Sequence, residues 1–106
     1  MDMIATFKSA RAKRYMQALC HHFGRKVDAS CEDISGWVEF PFGRCDMAVE
    51  NQELKLHARA DDKDALEQVV RIVTSHLDRF AFRENPELNW QPAKAERPQD
   101  QIGEPQ

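Results

Sequence analysis

Beyond Phe23 the hydrophobic period of this chain changes from 3.6 residues to 2, and beyond Ala60 it changes back. That double switch limits the fold more than any single motif does. A stretch of period 2 must lay one face of a sheet against a core, and the flanking stretches of period 3.6 must be helices that cover that face. From Ala10 to Phe23 the apolar residues Ala12, Tyr15, Met16, Leu19, Cys20 and Phe23 recur at helical spacing. The opposite face carries Arg11, Arg14, Gln17, Ala18 and His21. Ser9 is suited to cap the start of this helix, and Gly24 to end it in the left-handed region. Ahead of it, "MIATFKS" has the β-branched, apolar character of a short first strand.

The period-2 region divides at its turns. Val27, Ala29 and Cys31 alternate with Asp28, Ser30 and Glu32, which predicts a strand with the first three inward. After a turn near Asp33 to Ser35, Val38 and Phe40 point inward while Trp37 and Glu39 point outward. "PFG" at Pro41 to Gly43 breaks the ladder, and Cys45, Met47 and Val49 then alternate with Arg44, Asp46, Ala48 and Glu50. If Asn51 and Gln52 form a two-residue loop, Val49 faces Leu54, Met47 faces Leu56, Cys45 faces Ala58, and Asp46 meets His57 on the outer face.

The second helix is expected within "ADDKDALEQVVRIVTSHLDRFAF". Acids at its start suit the helix dipole, and Leu66, Val69, Val70, Val73, Leu77 and Phe80 share one face. Leu88 and Trp90 are candidates for a short last strand. The residues from Pro92 onward are polar and proline-rich, and read as a disordered tail after a single domain of residues 1–91. The resulting order is β-α-β-β-β-β-α. It predicts an α+β fold in which an antiparallel sheet of four to five strands packs on two helices. By analogy this is the topology of the TATA-binding-protein-like fold, a likeness that carries no function.

Composition narrows the functional classes. With 42% apolar and 31% charged residues the chain is an ordinary globular one, and no apolar run approaches the roughly 20 residues that a bilayer requires. The N-terminus lacks a basic region followed by an apolar stretch, so the cytoplasm is the expected compartment. Three cysteines do not suggest a disulfide framework, and reduced thiols are expected. The net charge of −3 argues against a dedicated nucleic-acid binder, although Lys8, Arg11, Lys13, Arg14, Arg25 and Lys26 make the first part of the chain basic.

The run Cys20-His21-His22 resembles a metal motif only in one dimension. Successive helical residues turn by about 100°, so Cys20 and His22 diverge and cannot grip one ion. A site requires convergence across the fold. Met16, Cys20, Cys45 and Met47 point inward, and His76 lies on the apolar side of the second helix. Cys20, His22, Cys45 and His76 are therefore the candidate ligands for iron or another transition metal. The same residues offer a Cys–His pair for a small thiol- or metal-dependent enzyme. On the outer face Trp37, Arg44, His57 and Arg59 are open to a protein partner or a second copy of the chain. The plain alternative is that the sulfurs belong to the core and the histidines are structural.

Three blocks carry a resemblance: "RYMQALCHHFGRKV", "FPFGRCDMAV" and "HLDRFAFRENPELNW". In that order they resemble the bacterial family catalogued as domain of unknown function 2218. The family pattern falls on Cys20, His22 and Phe23; on Phe42, Gly43 and Cys45; and on His76 and Leu77 with the run from Arg79 to Glu84. The resemblance assigns no activity. It implies a link with siderophore-interacting flavin reductases, to which some relatives look joined, and hence a binding or accessory role in iron acquisition. Under that reading Arg79, Arg83 and Glu84 contact a carboxylate or phenolate ligand. Without it they are the end of a helix anchored by Phe80 and Phe82, where cations suit the dipole.

Overall fold

The computed structural model describes residues 1–93. Six antiparallel strands and two helices follow in the order β1 (Asp2–Lys8), α1 (Ala12–Phe23), β2 (Asp28–Cys31), β3 (Ser35–Phe40), β4 (Gly43–Glu50), β5 (Glu53–Arg59), α2 (Lys63–Phe80) and β6 (Gln91–Pro92). A single 3-10 turn, Phe82–Glu84, follows α2. The strands lie in the order β2-β3-β4-β5-β1-β6. The α+β class and the element order agree with the sequence, while the sheet has six strands instead of four to five. The additional strand is β6, whose Gln91 and Pro92 pair with Ile4 and Met3. Leu88 and Trp90 are not in a strand; the Trp90 indole instead donates to Thr74 Oγ1 at 2.9 Å on α2. Pro92 thus belongs to the sheet, and the rest of the expected tail, from residue 94, lies outside the described residues.

Alternation sets the register. Val49 faces Leu54, Met47 faces Leu56, Cys45 faces Ala58 and Asp46 faces His57. The two loop residues between these strands, Asn51 and Gln52, have φ of 53° and 62°, the doubly left-handed conformation of a two-residue hairpin. Strand β1 joins β5 because its inward Met3, Ala5 and Phe7 lie opposite Ala58, Leu56 and Leu54. Both helices cover this one face. Met16 and Leu19 of α1, Leu77, Val69 and Val73 of α2, and Leu54 and Leu56 of β5 are almost wholly removed from water. Burying each such large side chain contributes about 1.5–3 kcal/mol. Among the described residues no helix is long and apolar enough to cross a membrane.

Three local expectations are corrected. Helix α1 begins at Ala12, so Ser9 caps the turn before it, accepting the Arg11 amide on its Oγ at 2.9 Å. Gly24 is right-handed, with φ of −63°, and does not form a left-handed cap. A Cβ there would lie 2.9 Å from the Cys20 carbonyl oxygen, so close approach and not backbone freedom favours glycine. Cys31 faces the helices as its parity requires, since it pairs with buried Gly36, but it is exposed because β2 is the edge of the sheet.

Candidate functional site

The last turn of α1 and the C-terminal half of α2 meet beside the β3–β4 turn. Helical geometry places His22 on the side of α1 that faces α2, away from Cys20. His22 and His76 rings lie 4.7 Å apart between centroids. Phe23 packs 4.7 Å from His76 and meets Phe40 edge to face at 5.1 Å. Phe42 stacks on Phe40 at 5.4 Å and 10°. Phe40 and Phe42 reach this position because Pro41 and Phe42 form the tight connection of a hairpin, and Gly43 lets that hairpin press against α2. A Cβ on Gly43 would stand 2.5 Å from the Arg59 carbonyl oxygen and 2.6 Å from Val69 Cγ2.

These rings wall a cleft of about 380 Å³, with Arg25 and Lys26 on its rim. That volume falls within the range of small-molecule sites. The His76 Nδ1–H donates to the Ile72 carbonyl at 2.8 Å. In the neutral ring this leaves Nε2 as an acceptor. His22 is exposed, and partial desolvation against the neighbouring rings lowers its pKa, with the charges of His76, Arg25, Arg79 and Lys26 lowering it further. At neutral pH His22 is an uncharged imidazole beside surface cations. The cleft combines flat apolar walls, two imidazole edges and a cationic rim.

The four expected metal ligands do not form a set. His22 and His76 come together, but the Cys20 thiol turns to the opposite side of α1 and donates to the Ser30 carbonyl at 3.4 Å. Cys45, on β4, donates to the Asp46 carbonyl at 3.8 Å. Among the described residues no group of three or more His, Cys, Asp or Glu side chains stands where it could hold a metal ion. Two imidazoles fall short of the three protein ligands that even an open catalytic zinc site has, so these residues do not fit a resident metal. Burial pushes Cys45 up to about 12, and burial together with Cys31 pushes Cys20 up to about 12, so both thiols are protonated at neutral pH. Protonated thiols are poor nucleophiles.

The arginines and the glutamate after His76 separate as well. Arg79 stands near enough to His22 to influence its charge, whereas the Arg83 guanidinium lies over the exposed Phe82 ring at 5.8 Å. Glu84 accepts from the Tyr15 hydroxyl at 2.5 Å and pairs with Arg11 at 3.4 Å. Phe82 therefore does not anchor the end of α2; Ala81, buried, and Glu84 do.

On the uncovered face of the sheet the Arg44 guanidinium lies 4.6 Å from the Trp37 ring centroid. Arg44 also donates to Asp46 at 3.0 Å and to Glu39 at 3.1 Å. Arg59 lies 3.3 Å from Asp46 Oδ2 without making a hydrogen bond to it. His57 Nε2–H donates to Asp2 at 2.7 Å.

Sequence reasoning found His22 and His76 but missed Phe40, Phe42, Arg25 and Lys26 as parts of their site. The available signal was "FPF", two aromatics on either side of Pro41 at a tight turn. The same three blocks that surround the cleft lie within a family described as "Uncharacterized protein conserved in bacteria (DUF2218)", which matches residues 4–91. The chain belongs to this family. A solved structure of a Pseudomonas aeruginosa protein, described as "NMR structure of PA4090", is 27% identical, with a TM-score of 0.74, covering 87% of this chain and 96% of its own. Comparison with curated proteins finds no match. As a DUF2218 domain the chain has a bacterial α+β architecture similar to that of the Pseudomonas aeruginosa protein.

Proposed function

We propose that this DUF2218 domain is a non-enzymatic binding or accessory module, acting in the cytoplasm, whose ligand occupies the His22–His76 cleft. The observation that carries this reading is the meeting of two imidazoles 4.7 Å apart on the wall of an aromatic cleft of about 380 Å³ rimmed by Arg25 and Lys26. Such a surface suits a flat aromatic ligand that bears a carboxylate or phenolate: the rings stack, the cations meet the charge and the imidazoles supply directional hydrogen bonds. Phenolate- and catecholate-bearing iron chelators belong to this chemical class. Iron enters the reading as cargo held by the ligand, not as a metal bound by the protein. A small thiol- or metal-dependent enzyme has less support, because both buried thiols are protonated and the Cys20 thiol turns to β2 and away from the histidines.

An NMR titration of tag-free protein with salicylate, against neutral salicyl alcohol, tests the proposal. Salicylate should shift the His22 and His76 ring signals at millimolar concentration, the alcohol much less, and Arg25→Ala with Lys26→Ala should weaken binding several-fold. Ring signals that stay in place at saturating salicylate would remove the cleft as an anion site.

A second reading rests on the bare face of the sheet. Trp37 under Arg44, with His57 and Arg59 nearby, offers a flat aromatic and paired charges to a protein partner, whether a siderophore-related reductase or another copy of the chain. Sedimentation with and without Trp37→Ala distinguishes self-association from docking of a different protein.

A further inference from the structure

We propose that Cys20 and Cys31 form a reversible intramolecular disulfide at the edge of the sheet, with the exposed Cys31 as the attacking thiol and the buried Cys20 as the resolving one. This does not depend on the function assigned to the histidine cleft. Three observations place the two cysteines together. Cys20 Sγ points at β2, where it donates to the Ser30 carbonyl at 3.4 Å, one residue before Cys31. Gly36 pairs with Cys31 across the β2–β3 ladder. A Cβ on Gly36 would meet both partners, 2.8 Å from Cys20 Sγ and 3.5 Å from Cys31 Cα. The missing side chain is thus what admits the Cys20 thiol to the backbone of the edge strand. The Cys31 thiol donates to the Glu32 carbonyl at 3.6 Å, and it lies near enough to Cys20 to raise the pKa of that thiol.

Access separates the roles. Cys31 is exposed, on the wall of an open groove that also has Arg14, Gln17, His21 and Cys20 along it. Cys45 is buried within β4. The oxidant that suits a surface thiol is a low-molecular-weight disulfide such as oxidised glutathione. The Cys31 thiol loses its proton to solvent, and the thiolate attacks one sulfur of that disulfide. The sulfur–sulfur bond breaks, its electron pair leaves on one glutathione thiolate, and that thiolate takes up a proton. Cys20 then gives its proton to solvent and attacks the Cys31 sulfur of the mixed disulfide. A second glutathione leaves with the electron pair and is protonated. Two protein thiols have been oxidised by two electrons, and one glutathione disulfide has been reduced to two thiols.

Burial and the neighbouring Cys31 keep the Cys20 thiol protonated, up to about 12, which makes the resolving step slow. The bond ties edge strand β2 to the last turn of α1, the same turn that presents His22.

Exposure of the full-length protein to oxidised glutathione, followed by non-reducing mass spectrometry and peptide mapping, tests the assignment. The wild type should lose two of its three thiols, yield a peptide linking Cys20 to Cys31 with Cys45 free, and revert with dithiothreitol. Cys20→Ser should stop at a glutathione adduct on Cys31, and Cys31→Ser should take up none. Cys45→Ser should behave as the wild type, which keeps the test informative if Cys20→Ser fails to fold. A lasting adduct on wild-type Cys31, a dimer through Cys31, or modification of Cys45 would each overturn the proposal.

Discussion

The Tyr15 hydroxyl donates to Glu84 Oε2 at 2.5 Å, joining the first turn of α1 to the 3-10 turn that follows α2, 69 residues later. Glu84 also accepts from Arg11. Tyr15→Phe should therefore lower stability by about 1.5–3 kcal/mol, the range for a hydrogen bond to a charged group. Chemical denaturation of the wild type and variant measures it. An unchanged midpoint would mean that Arg11 alone retains the segment.

The same pair makes stability depend on pH. Hydrogen bonding from Tyr15 is the largest cause that holds the Glu84 carboxyl below its ordinary value. A carboxylate whose folded pKa is depressed stabilises the fold above its unfolded pKa, about 4.3, and loses that contribution as pH falls through the folded value. The stability difference between wild type and Glu84→Gln should be full at about pH 6 and shrink steadily below about pH 4.5. A difference independent of pH would contradict the linkage.

His22 should titrate below an ordinary histidine, because desolvation opposes its charged form and His76 and the nearby cations add to this. Its folded pKa is lowered, so it favours the folded state above about pH 6.5 and that contribution is lost as pH falls through the folded value. His76→Ala opens the cleft to water and removes a neighbouring charge. The His22 midpoint, followed by NMR, should then move upward. A downward movement would show that His76 acts on His22 mainly as a hydrogen-bond partner.

Gly43→Ala should be strongly destabilising. Its Cβ would stand 2.5 Å from the backbone oxygen of Arg59 and 2.6 Å from Val69 Cγ2, and neither the β4–β5 ladder nor the buried face of α2 can yield without loosening the other. Overpacking of this kind costs about 1–3 kcal/mol, and a loss below about 0.5 kcal/mol would show that the hairpin shifts freely.

Gln52→Gly should raise stability. Gln52 has φ of 62°, where a side chain is disfavoured by about 1–2 kcal/mol and glycine is not. Part of that gain is lost to the greater freedom of glycine when unfolded, which leaves a net increase of about 0.5–1 kcal/mol. Thermal unfolding checks it, and a lower melting temperature would refute it.

Period and turn chemistry were sufficient to read the faces of the helices, the registry of β4 with β5 and the loop at Asn51 and Gln52, because each depends on neighbours in sequence or on a single two-residue turn. The same reasoning placed Cys31 inward correctly by parity and wrongly by burial. Whether an inward position is covered depends on the strand's place in the sheet, and β2 is at its edge. Gly24 invited a left-handed cap, but its backbone is right-handed, and what favours glycine there is the nearness of the Cys20 carbonyl.

The succession of Cys20, His21 and His22 determined that Cys20 and His22 leave α1 on different sides, since that angle is a property of any helix. Which element each side meets was decided only when the sheet and α2 packed against α1. Packing placed His22 beside His76 and Phe80, and it placed Cys20 beside Gly36 and Cys31. The periodicity that buries apolar faces is written locally; the chemistry of a site depends on which distant side chains those faces bring within a few ångströms, and that is fixed by the tertiary fold.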